Sequence, residues 1–211
     1  MKLVIIEGPD NVGKTTVIND LVHKTKSCIY LHCEKPEDND DPVECALAQN
    51  EYFNKLYKSV IKYAEYDMPH LDMIILDRSW VGEYVYGVLY RGNGKNYVRK
   101  MIHNLHKRLI ETSCRTDYQL SDIYYILLTA DNGEFILNND DGKSISNKLE
   151  NINKEREAFL EISNEIAEAS AYESKFHTKI LYVNDGMNWK DKFIIEEDIK
   201  NFIYNNSDGK K

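Results

Sequence analysis

The chain has 211 residues, 42% hydrophobic and 29% charged, a balance that supports a packed core and excludes wholesale disorder. Its formal net charge of −8 argues against a protein whose main work is gripping a nucleic-acid backbone, and no apolar run approaches the ~20 residues needed to span a bilayer. The N-terminus passes from Met-Lys straight into an apolar run, so a cytosolic protein is expected. Cys28, Cys33, Cys45 and Cys114 are read as reduced thiols, because none shows C-x-x-C spacing.

The first apolar run, "LVIIE" (3 to 7), reads as a buried strand and leads directly into "EGPDNVGKTT" (7 to 16). Gly8, Gly13, Lys14 and Thr15 complete G-x-x-x-x-G-K-[ST] between a strand and a helix. The stretch Gly8, Pro9, Asp10, Asn11, Val12, Gly13, Lys14, Thr15 and Thr16 is therefore assigned to the phosphates of a nucleoside triphosphate. Backbone N–H groups and the helix N-terminus form an anion cradle, Lys14 reaches the β and γ phosphates, and Thr15 ligates Mg²⁺. Motors, GTP switches and small-molecule kinases all share this loop, so it does not name the reaction.

A helix follows from Lys14 to about Lys26, with Val17, Ile18, Leu21 and Val22 on one face; then come a strand, "CIYLH" (28 to 32), and a long helix from Pro42 to about Glu65. The third strand, "MIILD" (73 to 77), ends on Asp77, with Arg78 next to it. A strand-end carboxylate suits a Mg²⁺ ligand, but a hydrolysing switch needs no cation beside it, so Arg78 points to a second anionic ligand. A helix-capping Asp with a solvated Arg is the plainer alternative. A helical pattern over 96 to 114 carries His103 and His106 at i, i+3; without a third ligand they read as a solvated helix face rather than a metal pair.

The strand "IYYILLTA" (123 to 130) precedes "DNGEFILNNDDGKSISNKLE" (131 to 150), a polar segment whose length suits a lid. Calcium is not expected there, because an EF-hand loop with Gly142 at its sixth position would begin at Leu137. Helix over 149 to 170, strand over 179 to 183 and helix over 188 to 204 complete the pattern, and the tail 205 to 211 reads as frayed. The alternation predicts a three-layer α/β/α P-loop NTPase fold in one domain over 1 to 204: a five-stranded parallel sheet with helices on both faces, a lid, and ligands at the carboxyl ends of the strands.

Together, "EGPDNVGKTT" and "LDRSWVGEYVYG" resemble the thymidylate kinases and the related deoxynucleoside and nucleoside monophosphate kinases. Glu7 precedes the first Gly, Asp10 lies within the loop, the Asp77–Arg78 pair follows strand three, Phe53 lies upstream of it, and "EREAFLE" follows the lid. The resemblance implies ATP as donor, Mg²⁺ held by Thr15 and Asp77, and a catalytic set of Lys14, Asp77, Arg78 and Asp10. Arg78 would clamp the acceptor phosphate, Asp10 would face the acceptor sugar and Phe53 would cover the base. Gln49 and Tyr57, one turn to either side of Phe53, would offer polar contacts to the base edge, with Tyr86 as a further candidate. Lys143, Lys148 and Arg156 are the cations in or beside the lid, and "NDG" (184 to 186) would line the donor adenine.

The sequence also departs from the family. Its base-reading Arg one turn beyond Phe53 is Tyr57 here, its Arg after strand two is missing with His32 or Lys35 as substitutes, and no Arg lies in 9 to 12 or in 131 to 150. The expected activity is transfer of the γ phosphate of ATP to a deoxynucleoside monophosphate, dTMP first. The alternatives are a deoxynucleoside kinase with Glu34 as base toward a 5′ hydroxyl, and a P-loop ATPase or switch. Small-molecule nucleotides are the expected partners, with a homodimer kept open and neither membrane nor nucleic acid.

Overall fold

The computed structural model describes residues 1–33, 42–65, 70–115, 118–142 and 144–205. Five strands, β1 (Lys2–Glu7), β2 (Cys28–His32), β3 (Met73–Asp77), β4 (Asp122–Thr129) and β5 (Phe176–Tyr182), form one sheet in the order β2-β3-β1-β4-β5. Every pairing in it is parallel. The register aligns Ile6 with Asp77 and Asp77 with His32, so Glu7, Asp77 and His32 emerge together at the carboxyl edge. The chain leaves β1 toward β2 on one side and leaves β4 toward β5 on the other, which opens a crevice beside β1 at that edge.

Alternate residues of β1 feed two cores, which is why the strand is apolar throughout. Leu3 and Ile5 pack with residues of α2 (Pro42–Glu65), α3 (Gly82–Tyr90), α4 (Lys95–Ser113) and α6 (Leu149–Ser170). Val4 and Ile6 pack with α1 (Lys14–Lys24), α5 (Gly133–Asn138) and α7 (Lys192–Asn205). All four side chains are fully buried, and burial of such a residue contributes roughly 1.5–3 kcal/mol. The rigid centre of the sheet thus fixes the loop that follows β1.

Four local features differ from the sequence expectation. The stretch from 188 does not begin a helix: a hairpin of β6 (Asn184–Asp185) and β7 (Asn188–Trp189) comes first, turned by Gly186 at φ +59°, and α7 starts at Lys192. The 131–150 segment contains α5, capped by the Asn132 side chain, which accepts from Phe135 N at 2.8 Å, and it buries Phe135 and Ile136. The stretch after Arg78 forms α3, too short and too uniformly apolar to show a helical period. His106 is not on a solvated face: it is 6% exposed and packs against Trp80, Tyr125 and Phe176, while His103 Nε2 faces Glu165 at 3.6 Å. Among the described residues no group of three or more His, Cys, Asp or Glu is gathered to hold a metal, and no helix is long and apolar enough to cross a membrane.

Candidate active site

The loop between β1 and α1 takes its shape from backbone geometry. Gly8 adopts φ +145°, and a Cβ there would lie 2.0 Å from the Leu128 carbonyl oxygen, so no side chain is tolerated. Gly13, at φ +79°, is the N-cap of α1, and Asn11 is also left-handed at φ +59°. Among the described residues no side chain caps α1 and no acidic residue sits in its first turn, which leaves its first N–H groups and dipole open to an anion. Lys14 is 7% exposed and its Nζ donates to the Gly8 carbonyl at 2.8 Å and to the Pro9 carbonyl. Burial pushes its pKa down to about 8 against the opposing pull of Asp10.

A cavity of about 340 Å³ beside this loop gathers Lys14, Thr15, Asp77, Arg78, Asp10 and His32. Asp77 is buried, and its Oδ2 accepts from the Tyr30 hydroxyl at 2.8 Å and lies 3.0 Å from His32 Nδ1. A hydroxyl and an oriented carboxylate beside the amide cradle fit Mg²⁺, which takes one or two protein oxygens and leaves its other positions to water and phosphate. A second cavity, of about 370 Å³, extends from Gly13 and Thr16 past Val183 to Trp189 and Lys190. The Trp189 indole is held by its Nε1–H, which donates to Asn139 Oδ1 at 3.0 Å, and by an edge contact with Phe135 at 4.7 Å. Residues 184–186 brace this corner instead of facing its interior: Asn184 Oδ1 accepts from Asp131 N at 2.9 Å and Asn184 Nδ2 donates to Gly186 O at 2.6 Å.

Arg78 links the phosphate cavity to a third one. It holds a left-handed backbone at φ +65°, rare and strained for a side chain of this size, with its N–H donating to Ile6 O at 3.0 Å. That bend turns the guanidinium over the loop, where Nη2 donates to Asp10 Oδ1 at 2.7 Å. Arg78 lines both the phosphate cavity and a neighbouring one walled by Phe53, Tyr86, Glu7, Glu83 and Arg91. This cavity is narrow, about 40 Å³, with Ile145 of the 131–150 segment in its lining. Phe53 is 2% exposed and serves both core and wall. The Tyr86 hydroxyl is buried without a hydrogen-bond partner among the described residues. Glu7 accepts from Ser79 Oγ at 2.6 Å, and burial pushes its carboxyl up to about 7 against that bond.

The wall around Glu83 is a buried polar cluster. Arg91 Nη2 donates to Glu83 Oε2 at 2.5 Å, and Asn93 Nδ2 donates to Glu83 Oε1 at 2.5 Å. With the Gln49 amide oriented so that its oxygen accepts from Arg91 Nε at 3.0 Å, its nitrogen lies 2.6 Å from both Glu83 Oε1 and Asn93 Nδ2. Gln49 therefore reaches the wall of this narrow cavity through Arg91 and Glu83. Tyr57 does not: its hydroxyl lies 3.3 Å from Thr112 Oγ1, with the Arg108 guanidinium over its ring, on the α4 side of α2.

The 131–150 segment meets the loop through Asn11, whose Nδ2 donates to Asp140 Oδ1 at 3.0 Å and Ser144 Oγ at 2.6 Å. It brings Asp141 and Ser144 to the phosphate cavity. Lys148 is exposed at the N-cap of α6, and Arg156 Nη2 donates to the Asp131 carbonyl at 2.6 Å; neither lines that cavity. Lys143, Glu34, Lys35, the side chain of Cys45 and the tail beyond Asn205 lie outside the described residues. Sequence reasoning did not single out Ser79, Glu83, Arg91, Asn93 or Trp189. One signal did exist, a glycine inside a helix: a Cβ at Gly87 would lie 1.9 Å from Glu83 Oε1 and 2.8 Å from Asn93 Nδ2.

No protein-family model matches the chain, and no curated protein matches it. Among solved structures it is similar to the YorR protein of Bacillus subtilis, solved in complex with phosphorylated GDP, with 18% identity, a TM-score of 0.61 and 99% of each chain covered. The thymidylate kinase of Candida albicans gives 14% identity and a TM-score of 0.59 over 97% of this chain and 92% of that one. The thymidylate kinase of Ehrlichia chaffeensis gives 14% identity and a TM-score of 0.51 over 94% and 97%. The chain thus carries the three-layer P-loop fold that these thymidylate kinases also have.

Proposed function

We propose that the protein transfers the γ phosphate of ATP to the phosphate of a deoxynucleoside monophosphate, with dTMP as the first acceptor to test. The observation that carries this reading is Arg78, held in a left-handed backbone conformation with its side chain shared by the phosphate-loop cavity and its neighbour. Phosphoryl transfer needs in-line positioning and positive charge where negative charge develops. The loop amides and Lys14 hold the triphosphate, with Thr15 and Asp77 as the oxygen ligands for Mg²⁺. That ion, when bound, neutralises charge on the transferring phosphate.

Arg78 presents its fork to the acceptor phosphate, which displaces the Asp10 carboxylate from it; Asp10 is then free to accept from the sugar hydroxyl. Phe53 covers the base and Tyr86 offers its hydroxyl to the sugar side. The acceptor cavity is smaller than a nucleotide, so Ile145 and the 131–150 segment move outward to admit it and return to exclude water. The nucleotide bound in the YorR structure and the two thymidylate kinases support a nucleotide substrate at this fold's site.

The decisive variant is Arg78→Ala. Acceptor KM should rise and kcat fall by orders of magnitude, while ATP affinity measured by equilibrium binding survives. Loss of ATP affinity with unchanged acceptor KM would remove Arg78 from the acceptor side and with it this reading.

A further inference from the structure

Two guanidinium groups line the acceptor cavity, and Arg78 is assigned to phosphate, which leaves Arg91 beside Phe53. Arg91 closes α3 as its C-cap, with its backbone N–H on the Gly87 carbonyl at 3.2 Å. Its side chain is 9% exposed and that of Glu83 is 2% exposed, so the ion pair is largely removed from water and fixed in orientation. Gly87 is the cradle: only a residue without a side chain lets the Glu83 carboxylate lie back along the helix to grip Arg91.

Hydrogen-bond accounting gives the cluster a direction. Glu83 Oε2 accepts from Arg91 Nη2, Glu83 Oε1 is covered by the Asn93 and Gln49 amides at 2.5 and 2.6 Å, and the Gln49 oxygen accepts from Arg91 Nε. The acceptors of Glu83 and Gln49 thus serve other members of the cluster. A guanidinium carries five N–H donors and no acceptor. Those of Arg91 not used by Glu83 and Gln49 are what it offers to the cavity.

We propose that Arg91 reads the acceptor base by donating to an exocyclic oxo group. Thymine and uracil present an oxo group at C4 and guanine presents one at C6; cytosine and adenine present an amino group at those same positions and would set donor against donor. An oxo base completes the cluster, whereas an amino base leaves a buried charged donor unpaired, the stronger of the two ways to discriminate. Glu83 and Gln49 are positioning residues that aim the guanidinium. This inference rests on the acceptor cavity assigned under Proposed function, and it places base selection on α3 rather than at position 57.

The test measures kcat/KM and equilibrium binding of the full chain, with ATP and Mg²⁺, for dTMP, dUMP, dCMP, dGMP, dAMP and the matching nucleosides. Within each ring size the oxo base should lead: dTMP or dUMP over dCMP, and dGMP over dAMP, each by roughly tenfold or more. The double variant Glu83→Gln with Arg91→Gln removes both charges together, so neither is left buried alone, and its fold is checked by circular dichroism and melting. It should bring the oxo-to-amino ratio near one and raise KM for the oxo acceptors, with ATP affinity unchanged. A wild-type preference for dCMP or dAMP, or a folded double variant that keeps the oxo preference, would overturn the assignment. The underlying reading fails differently: nucleosides phosphorylated and monophosphates ignored, with the oxo preference intact, removes the monophosphate acceptor and keeps Arg91. Failure of all ten compounds to bind removes both.

Discussion

The phosphate loop and the narrow cavity beside it, which we assign to donor and acceptor, share Arg78 but are built by different means. The cradle is a run of consecutive residues, 8 to 16, working mainly through main-chain geometry: Gly8 and Gly13 at positive φ, and the uncapped start of α1. The narrow cavity draws on β1, α2, α3, the residues that follow β2 and β3, and the 131–150 segment, and works through side chains that hold one another, as Gln49, Glu83, Arg91 and Asn93 do. A main-chain device depends on a few glycines and tolerates change elsewhere. A side-chain network depends on each member, because every loss leaves a buried polar group unpaired.

A matched pair of substitutions puts that difference to work. Gly8→Ala should be the most damaging, since the added Cβ meets main chain at 2.0 Å in a conformation alanine avoids; a loss of roughly 3 kcal/mol or more is expected, with ATP binding abolished. Urea denaturation and nucleotide binding would check it. Gly87→Ala drives its Cβ into the Glu83 carboxylate, a side chain able to yield at the cost of the cluster, and roughly 1–3 kcal/mol is expected. ATP affinity should stay at the wild-type value while acceptor KM rises. If both variants damage donor and acceptor binding alike, the two regions are not separately built.

His106 lies outside both regions and supplies a control on the core. Burial pushes its pKa down to about 3, with His103 nearby adding to the effect. The folded state therefore keeps it neutral, while the unfolded chain takes up a proton below the ordinary histidine value near 6.5. Stability is lost progressively as pH falls from about 6.5 toward 3, by about 2 kcal/mol at pH 5. Denaturation at pH 7 and pH 5 would show this, and His106→Phe should flatten the difference. The smallest effect is expected for Asp140→Ala, which removes the acceptor for Asn11, Ser144 and the Gly142 N–H. Hydrogen exchange over 131–142 should quicken, and ATP hydrolysis without acceptor should rise, with little change in melting.

What could be read from the sequence follows the same division. The phosphate loop was legible because its ligands are adjacent and its glycines are dictated by conformation. The strands were legible because a sheet covered on both faces makes them apolar throughout. The place of Arg78 at the carboxyl edge of the sheet was legible because it directly follows a strand. The Arg91 cluster was not, since Gln49, Glu83 and Arg91 meet only after α2 and α3 pack, and no spacing encodes that meeting. Tyr57 shows the converse: a turn away from Phe53 on α2, it was grouped with the base edge, yet the packing of α2 on α4 commits it to Thr112 and Arg108. His106 likewise shared a helical spacing with His103 but not its environment.

The central claim is that the phosphate held by the loop is passed to another phosphate, and product identification tests it most directly. Purified protein with ATP and Mg²⁺ would be given dTMP or thymidine separately and the products resolved by chromatography. The account predicts dTDP and ADP in equal amounts from dTMP and nothing from thymidine. Formation of dTMP from thymidine alone, or of ADP with no phosphorylated acceptor in either reaction, would contradict it.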